Sequence, residues 1–391
     1  MQMPFSSPIL DREIAFDPSA EFDNFLRGIP AKWAVYLMAD DAGRPVQLLC
    51  VKNLRYSIKR RLGIDAELTG PSRRVDYRGM IRRISWRRVD SAFEADCVYL
   101  EFARQLFPLT YQGMVGFRPA WFVHVNPESP FPRYTKTIDL GIRTGVLMGP
   151  LEDKHTAGRL VEQAADWFDL CRYYHILIES PHGKACAYKE MGKCPAPCDG
   201  SISIEQYRRL VDWSARSILD PAEIIRDQQQ RMKAAAVEMR FETAGKIKAF
   251  IDSLSQLGKG AFRHVRSLSD FKFLSFQRGP RDGTAKVFLI TPGEVQEIAC
   301  LPHEPTRPAD VLRLALNLAA EHSPSTVDSI GAERIGVVAH HLFLAKATHG
   351  VFIPLDTVDE KSIARAYRDL LKQKAPDELE AEGVTKELQA M

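Results

Sequence analysis

The sequence predicts an α+β protein of several domains: an α/β domain toward the N-terminus, a helical cysteine-rich region, a helical hairpin and a C-terminal α/β domain. Three observations carry this prediction. Short apolar runs of β character occur at 33–51 and again after Gly258, the stretches 203–218 and 222–257 follow helical spacing, and four of the seven cysteines fall between 171 and 198. With 391 residues, 45% hydrophobic and 26% charged, the chain has apolar material for more than one modest core.

Residues 1–30 carry mixed charge and scattered proline and read as an N-terminal arm or small accessory segment. The first domain is placed at 31–115. Trp33-Ala-Val-Tyr-Leu-Met and Val46-Gln-Leu-Leu-Cys-Val flank an Asp-Ala-Gly turn, the pattern of a β-hairpin, and helical spacing follows at 53–62. Residues 72–88 are rich in arginine, and 93–107 reads as a helix closed by Pro108.

The cysteine-rich region is placed at 116–220. Runs of β character at 121–125 and 133–138 precede a helical pattern through Leu160, Ala164, Trp167 and Phe168, which puts Cys171 at a helix end. A helical pair occupies 221–257. From 258 to 391 the pattern is that of a separate α/β unit: strands at 271–276, 286–291 and 295–299, a helix at 308–321, a buried element at 336–343 and a charged tail from Lys374.

The net charge of +3 rules out attraction to a polyanion through total charge, so any such attraction must come from local clustering. No uncharged apolar run approaches the roughly 18 residues of a membrane span, and the N-terminus lacks the pattern of a signal peptide. The chain is expected in the cytoplasm with no membrane contact. Cys50, Cys97 and Cys300 stand apart in apolar surroundings and read as packing residues.

The remaining four cysteines form a compact constellation. Cys186 and Cys194 are eight positions apart, Cys194-Pro-Ala-Pro-Cys198 spans four more, and Gly192 and the prolines shape the turns between them. In a reducing compartment such a cluster indicates metal binding rather than disulfides. Cys171 supplies a fourth thiolate. Four thiolates suit zinc or an iron–sulfur cluster, and ligand type alone does not choose between them.

The run from Cys186 to Cys198, with Gly200, Ile202, Ser203 and Glu205-Gln206-Tyr207 after it, resembles the N-terminal half of UvrC, the bacterial excinuclease protein of nucleotide excision repair. Phe131-Pro-Arg-Tyr134 and Gly149-Pro-Leu151 are similar to the segment leading into that region, and Cys171 matches its first cysteine at a slightly longer interval. The resemblance implies a 4Fe-4S cluster on Cys171, Cys186, Cys194 and Cys198. Downstream, Met232, Ala235, Met239, Phe241-Glu242, Ala244, Ile247-Lys248, Ile251 and Leu254 resemble the UVR motif. That likeness implies a helical hairpin, with Phe241 and Glu242 at its turn, that binds a UvrB-like protein.

The first domain resembles a GIY-YIG nuclease, whose chemistry needs tyrosines, an arginine to offset charge and a glutamate to hold a divalent cation. Ala34-Val35-Tyr36 matches the first motif with its tyrosine kept, and Lys52-Asn53-Leu54-Arg55 sets the register. In that register the second tyrosine falls on Gln47, the glycine on Leu49 and the arginine on Ser57; aligned from Pro108 the glutamate position falls on Tyr99, and a short gap brings Glu101 there instead. A helix is expected to set Arg55, Arg60 and Arg61 on faces different from position 57, so the reading is a degenerate, non-cutting site. The alternative is an active endonuclease using Tyr36, Glu101 and one of these arginines.

Lys52, Arg55, Lys59, Arg60, Arg61, Arg82 and Arg83, with Arg73, Arg74, Arg78, Arg87 and Arg88, gather positive charge within 37 residues. Tyr56, Tyr77 and Trp86 are interleaved, a composition suited to phosphates and unpaired bases. The function read from the sequence is a UvrC-like, DNA-binding, nuclease-deficient repair factor. A protein-interaction module with structural zinc is the third reading.

Overall fold

A computed structural model describes residues 10–63, 77–302, 308–321, 326–344 and 350–372. Arg73, Arg74 and the charged tail lie outside the described residues. Among the described residues the architecture is α+β, with three antiparallel four-stranded sheets.

The first sheet contains β1 (Arg12–Ala15), β2 (Ala34–Ala39), β3 (Pro45–Val51) and β4 (Arg83–Arg88), in the order β1-β4-β2-β3. Residues 10–30 are therefore not a loose arm. β1 pairs along β4, α1 (Phe22–Arg27) packs beside it, and Phe16 and Ile29 are buried. Their mixed charge concealed a short apolar set, Phe16, Phe22, Phe25, Leu26 and Ile29, that closes one side of the sheet.

β2 is buried along its whole length because the sheet is covered on both faces. Ala34, Tyr36 and Met38 face α2 (Leu54–Leu62), which starts on an Asn53 cap, while Val35 and Leu37 face α3 (Ala92–Leu106), capped by Ser91.

The middle sheet is built from β5 (Trp121–Val125), β6 (Thr135–Thr137), β7 (Val146–Leu151) and a short later strand. Against it lies α4 (Lys154–Trp167), and two short helices, α5 (Tyr174–Leu177) and α6 (Ala187–Glu190), carry the chain through the cysteine segment. Then comes α7 (Ile204–Leu219), whose start is fixed by a capping box between Ser203 and Gln206.

The pattern at 222–257 resolves into an antiparallel pair, α8 (Pro221–Val237) and α9 (Phe241–Leu254). The break between them is at 238–240, where Met239 adopts φ 59°, so Phe241 and Glu242 open the second helix rather than form the turn.

The C-terminal portion is less separate than the sequence suggests. Its first strand, β8 (Arg266–Ser267), completes the middle sheet beside β7. β9 (Phe273–Arg278), β10 (Ala285–Thr291) and β11 (Glu294–Leu301) follow, then α10 (Pro308–Glu321), α11 (Ser329–Phe343), β12 (Val351–Pro354) and α12 (Glu360–Lys372). The sheet order is β11-β10-β9-β12. One core runs through α3, Phe122, Phe271, Phe273, Phe288 and α11, and Phe93 meets Phe288, Phe352 and His341 edge to face.

Candidate metal centre and nucleic-acid interface

α4 ends at Trp167, and Cys171 follows after Asp169, which takes φ 50°. The Cys171 amide donates to the hydroxyl of buried Tyr207 on α7 at 3.1 Å, which ties this thiol to the helical core. Cys194 and Cys198 are both buried, on a turn in which Ala196 (φ 56°) and Gly200 (φ 79°) are left-handed.

The Cys171 thiol donates to the Tyr173 carbonyl at 3.5 Å, and Cys194 and Cys198 lie within electrostatic reach of it. The neighbouring Cys194 thiol pushes Cys171 far above the ordinary thiol range, with burial adding to it. Cys171 in turn holds Cys194 down to about 6 against the opposing effect of burial. Cys186 sits at the N-cap of α6, and no hydrogen bond joins it to the other three. Among the described residues, no three His, Cys, Asp or Glu side chains stand arranged to hold a metal ion. The donor types fit a soft metal, and the placement of Cys186 leaves the set open. Cys97 is buried and packs as expected, but Cys50 and Cys300 are exposed on their strands.

Beside Cys171 lies a cavity of about 520 Å³. Two arginine–tyrosine stacks flank it: Arg133 over Tyr174 at 3.8 Å and Arg172 over Tyr188 at 4.3 Å.

The first sheet treats its candidates differently. Tyr36 is fully buried and its hydroxyl meets Ser57 Oγ at 2.9 Å. Arg61, one helical turn beyond Ser57 and so on the same face of α2, also reaches that hydroxyl and donates to Gln47 Oε1 at 3.2 Å. The expectation that Arg61 lies on another face is thus corrected: spacing of four residues returns a side chain to the same side, and that signal was present in the sequence. Burial raises the Tyr36 phenol, against lowering by Ser57 and Arg61, so it stays protonated at neutral pH.

Glu101 is not part of this group. It is buried on α3, across the sheet from Tyr36, between Arg104 and Arg334 of α11, whose Nε donates to it at 2.8 Å. Arg334 is the partner that sequence reasoning missed, because 233 positions separate the two residues.

The basic residues also divide. Lys52, Arg55, Lys59 and Arg60 are exposed on or just before α2, although Arg55 Nε donates to the Ile29 carbonyl at 2.7 Å. Arg83 is exposed on the side of β4 opposite Ile84 and Trp86, which pack toward α2, and Arg82 is half-buried against the Ile81 and Arg78 carbonyls. Trp86 is 5% exposed and offers no stacking face, whereas Tyr56 is 63% exposed. At the hairpin tip Val237, Met239 and Phe241 stand exposed beside a Glu242–Lys246 ion pair.

Residues 120–217 match the family described as the UvrC/Cho excinuclease middle domain, a segment that contains all four clustered cysteines. The chain is similar to UvrABC system protein C of Campylobacter jejuni subsp. jejuni, with 25% identity over 64% of this chain and 41% of that protein. It is 23% identical to the protein of that name from Clostridium perfringens over 70% of this chain and 44% of the relative. The one from Trichlorobacter lovleyi is 23% identical over 60% and 38%. The chain spans about two fifths of the length of these curated relatives. No solved structure matches it. No helix among the described residues is long and apolar enough to cross a membrane.

Proposed function

We propose that the protein is a UvrC-like DNA-repair factor of the cytoplasm that binds DNA without cutting it. In this reading Cys171, Cys186, Cys194 and Cys198 hold a structural 4Fe-4S cluster, and the apolar tip of α8 and α9 docks a UvrB-like partner. The observation that carries the reading is that all four cysteines fall within the UvrC/Cho-like segment at residues 120–217. Four thiolates leave no open position, so the cluster's chemistry is structural or redox-sensing. Closure around it requires the 186–193 turn to bring Cys186 inward, and metal binding supplies the free energy for that adjustment.

The non-cutting half of the proposal is supported by the burial of Tyr36 and by the two arginines on Glu101. One observation favours the alternative, an active endonuclease with a rearranged site: Arg61 stands beside Tyr36 where Ser57 cannot supply charge. Structural zinc is the alternative metal.

The test is anaerobic purification. Broad visible absorption with iron and sulfide in equal amounts is expected, and Cys194→Ser should abolish it. A colourless protein with one zinc per chain overturns the cluster. Incubation with damaged or branched DNA and Mg²⁺ or Mn²⁺ should leave the DNA intact. Cutting that is lost in Tyr36→Phe overturns the non-cutting reading.

A further inference from the structure

We propose that the cleft between the first sheet and the β9–β10 turn of the C-terminal sheet holds the phosphodiester backbone of DNA. This rests on the DNA-binding reading above and extends it to a second region of the chain. The cleft has a volume of about 600 Å³. Lys32, Lys52 and Arg88 line it from the first sheet, and Arg278 and Arg281 from the turn. Of the two carboxylates in its wall, Asp90 is already held by Lys286 at 2.8 Å, which leaves Asp282 as the other. Among the described residues no carboxylate pairs with Lys32, Arg88 or Arg281. Three cations therefore reach this surface without an internal counter-ion, and facing walls concentrate their field.

The turn that carries two of the cations is fixed before any ligand arrives. The Gly279 amide donates to the Thr284 carbonyl at 2.9 Å, the Arg281 amide to Thr284 Oγ1 at 3.1 Å, and the Thr284 hydroxyl to the Arg281 carbonyl at 2.6 Å. Gly283 takes φ 73°, open to glycine at little cost, and its carbonyl accepts from buried Tyr367 on α12. Binding then spends little on ordering the backbone. The lining also selects the ligand. Trp33 is the single aromatic residue in it, so the cleft offers charge to phosphates and little stacking to bases.

The experiment titrates the full chain with a short fluorescein-labelled duplex, and with one of its strands, over a range of salt. The variants are Arg88→Ala/Arg281→Ala and Arg88→Lys/Arg281→Lys. For the alanine pair, affinity for the duplex at low salt is expected to fall about tenfold, and the slope of log K on log salt should shrink by about 1 to 2. The lysine pair keeps the charge and should stay within a few fold of wild type, which separates lost contacts from lost folding. Steep salt-dependent binding by wild type, unchanged in the alanine pair, overturns the cleft and leaves the DNA-binding reading intact. Absence of salt-dependent binding by wild type to either probe overturns both.

Discussion

The first sheet and the cysteine segment both carry residues whose types point to chemistry, and the fold uses them in opposite ways. Around β2 the candidates are consumed by their own neighbours: Tyr36 is closed in by Ser57 and Arg61, and Glu101 by Arg104 and Arg334. In the cysteine segment the demand is met weakly: the Cys171 thiol donates to the Tyr173 carbonyl at 3.5 Å, and Cys194 and Cys198 stand near it as electrostatic neighbours. A reactive side chain whose hydrogen bonds and charge are already met by the protein is spent on stability. One met only by a long bond and by neighbouring thiols still has bonding capacity for something absent from the chain. This difference separates structural from functional use more sharply than residue identity does.

The comparison breaks most readily at Glu101. If the carboxylate serves the fold, Glu101→Gln leaves two half-buried guanidinium groups short of charge around a buried position and should cost about 3 kcal/mol in urea unfolding. A glutamate kept to bind a divalent cation predicts no loss of stability and a loss of metal affinity instead. Tyr36→Phe comes next. It removes one buried hydroxyl with a partner and should cost about 1 kcal/mol by the same measurement. A change of zero would mean that Ser57 and Arg61 do not depend on it. At the hairpin tip Phe241→Ser should leave the melting temperature unchanged, since the ring is 70% exposed, while weakening capture of a UvrB-like protein. Full retention of binding would remove the tip from the proposed interface.

Much of the fold was legible because local signals agreed with it. The hairpin at 33–51 is two apolar runs around a polar turn, α2 begins on an asparagine cap, and α10 begins at Pro308 where the spacing placed it. What escaped was non-local. Short β1 is recognisable only through its pairing with β4, and β12 joins the sheet beside β9 across most of the C-terminal portion. The candidate site was read in the same uneven way. Close spacing gathered Cys194 and Cys198, and the four-residue step from Ser57 to Arg61 was readable as one helix face. No sequence pattern could reveal that Arg334 meets Glu101, or that Lys286 would be enclosed by Asp90 and Glu94 at 2.8 and 2.7 Å.

Lys286 keeps its charge in that setting. Burial opposes it most strongly, but Glu94 and Asp90 together outweigh burial and hold the ammonium above its ordinary range. The pair of carboxylates lies at the start of α3 and the lysine lies on β10, so the bond spans the seam between the first sheet and the C-terminal sheet.

That seam, with Phe93 set among Phe288, Phe352 and His341, makes α3 a shared wall. A shortened protein ending near residue 257 would strip one side of that wall bare, exposing aromatic rings and stranding Glu94 without its cation. The N-terminal and C-terminal portions are thus bound to unfold as partners, and expression of either alone would yield a sticky fragment in place of a miniature of the whole.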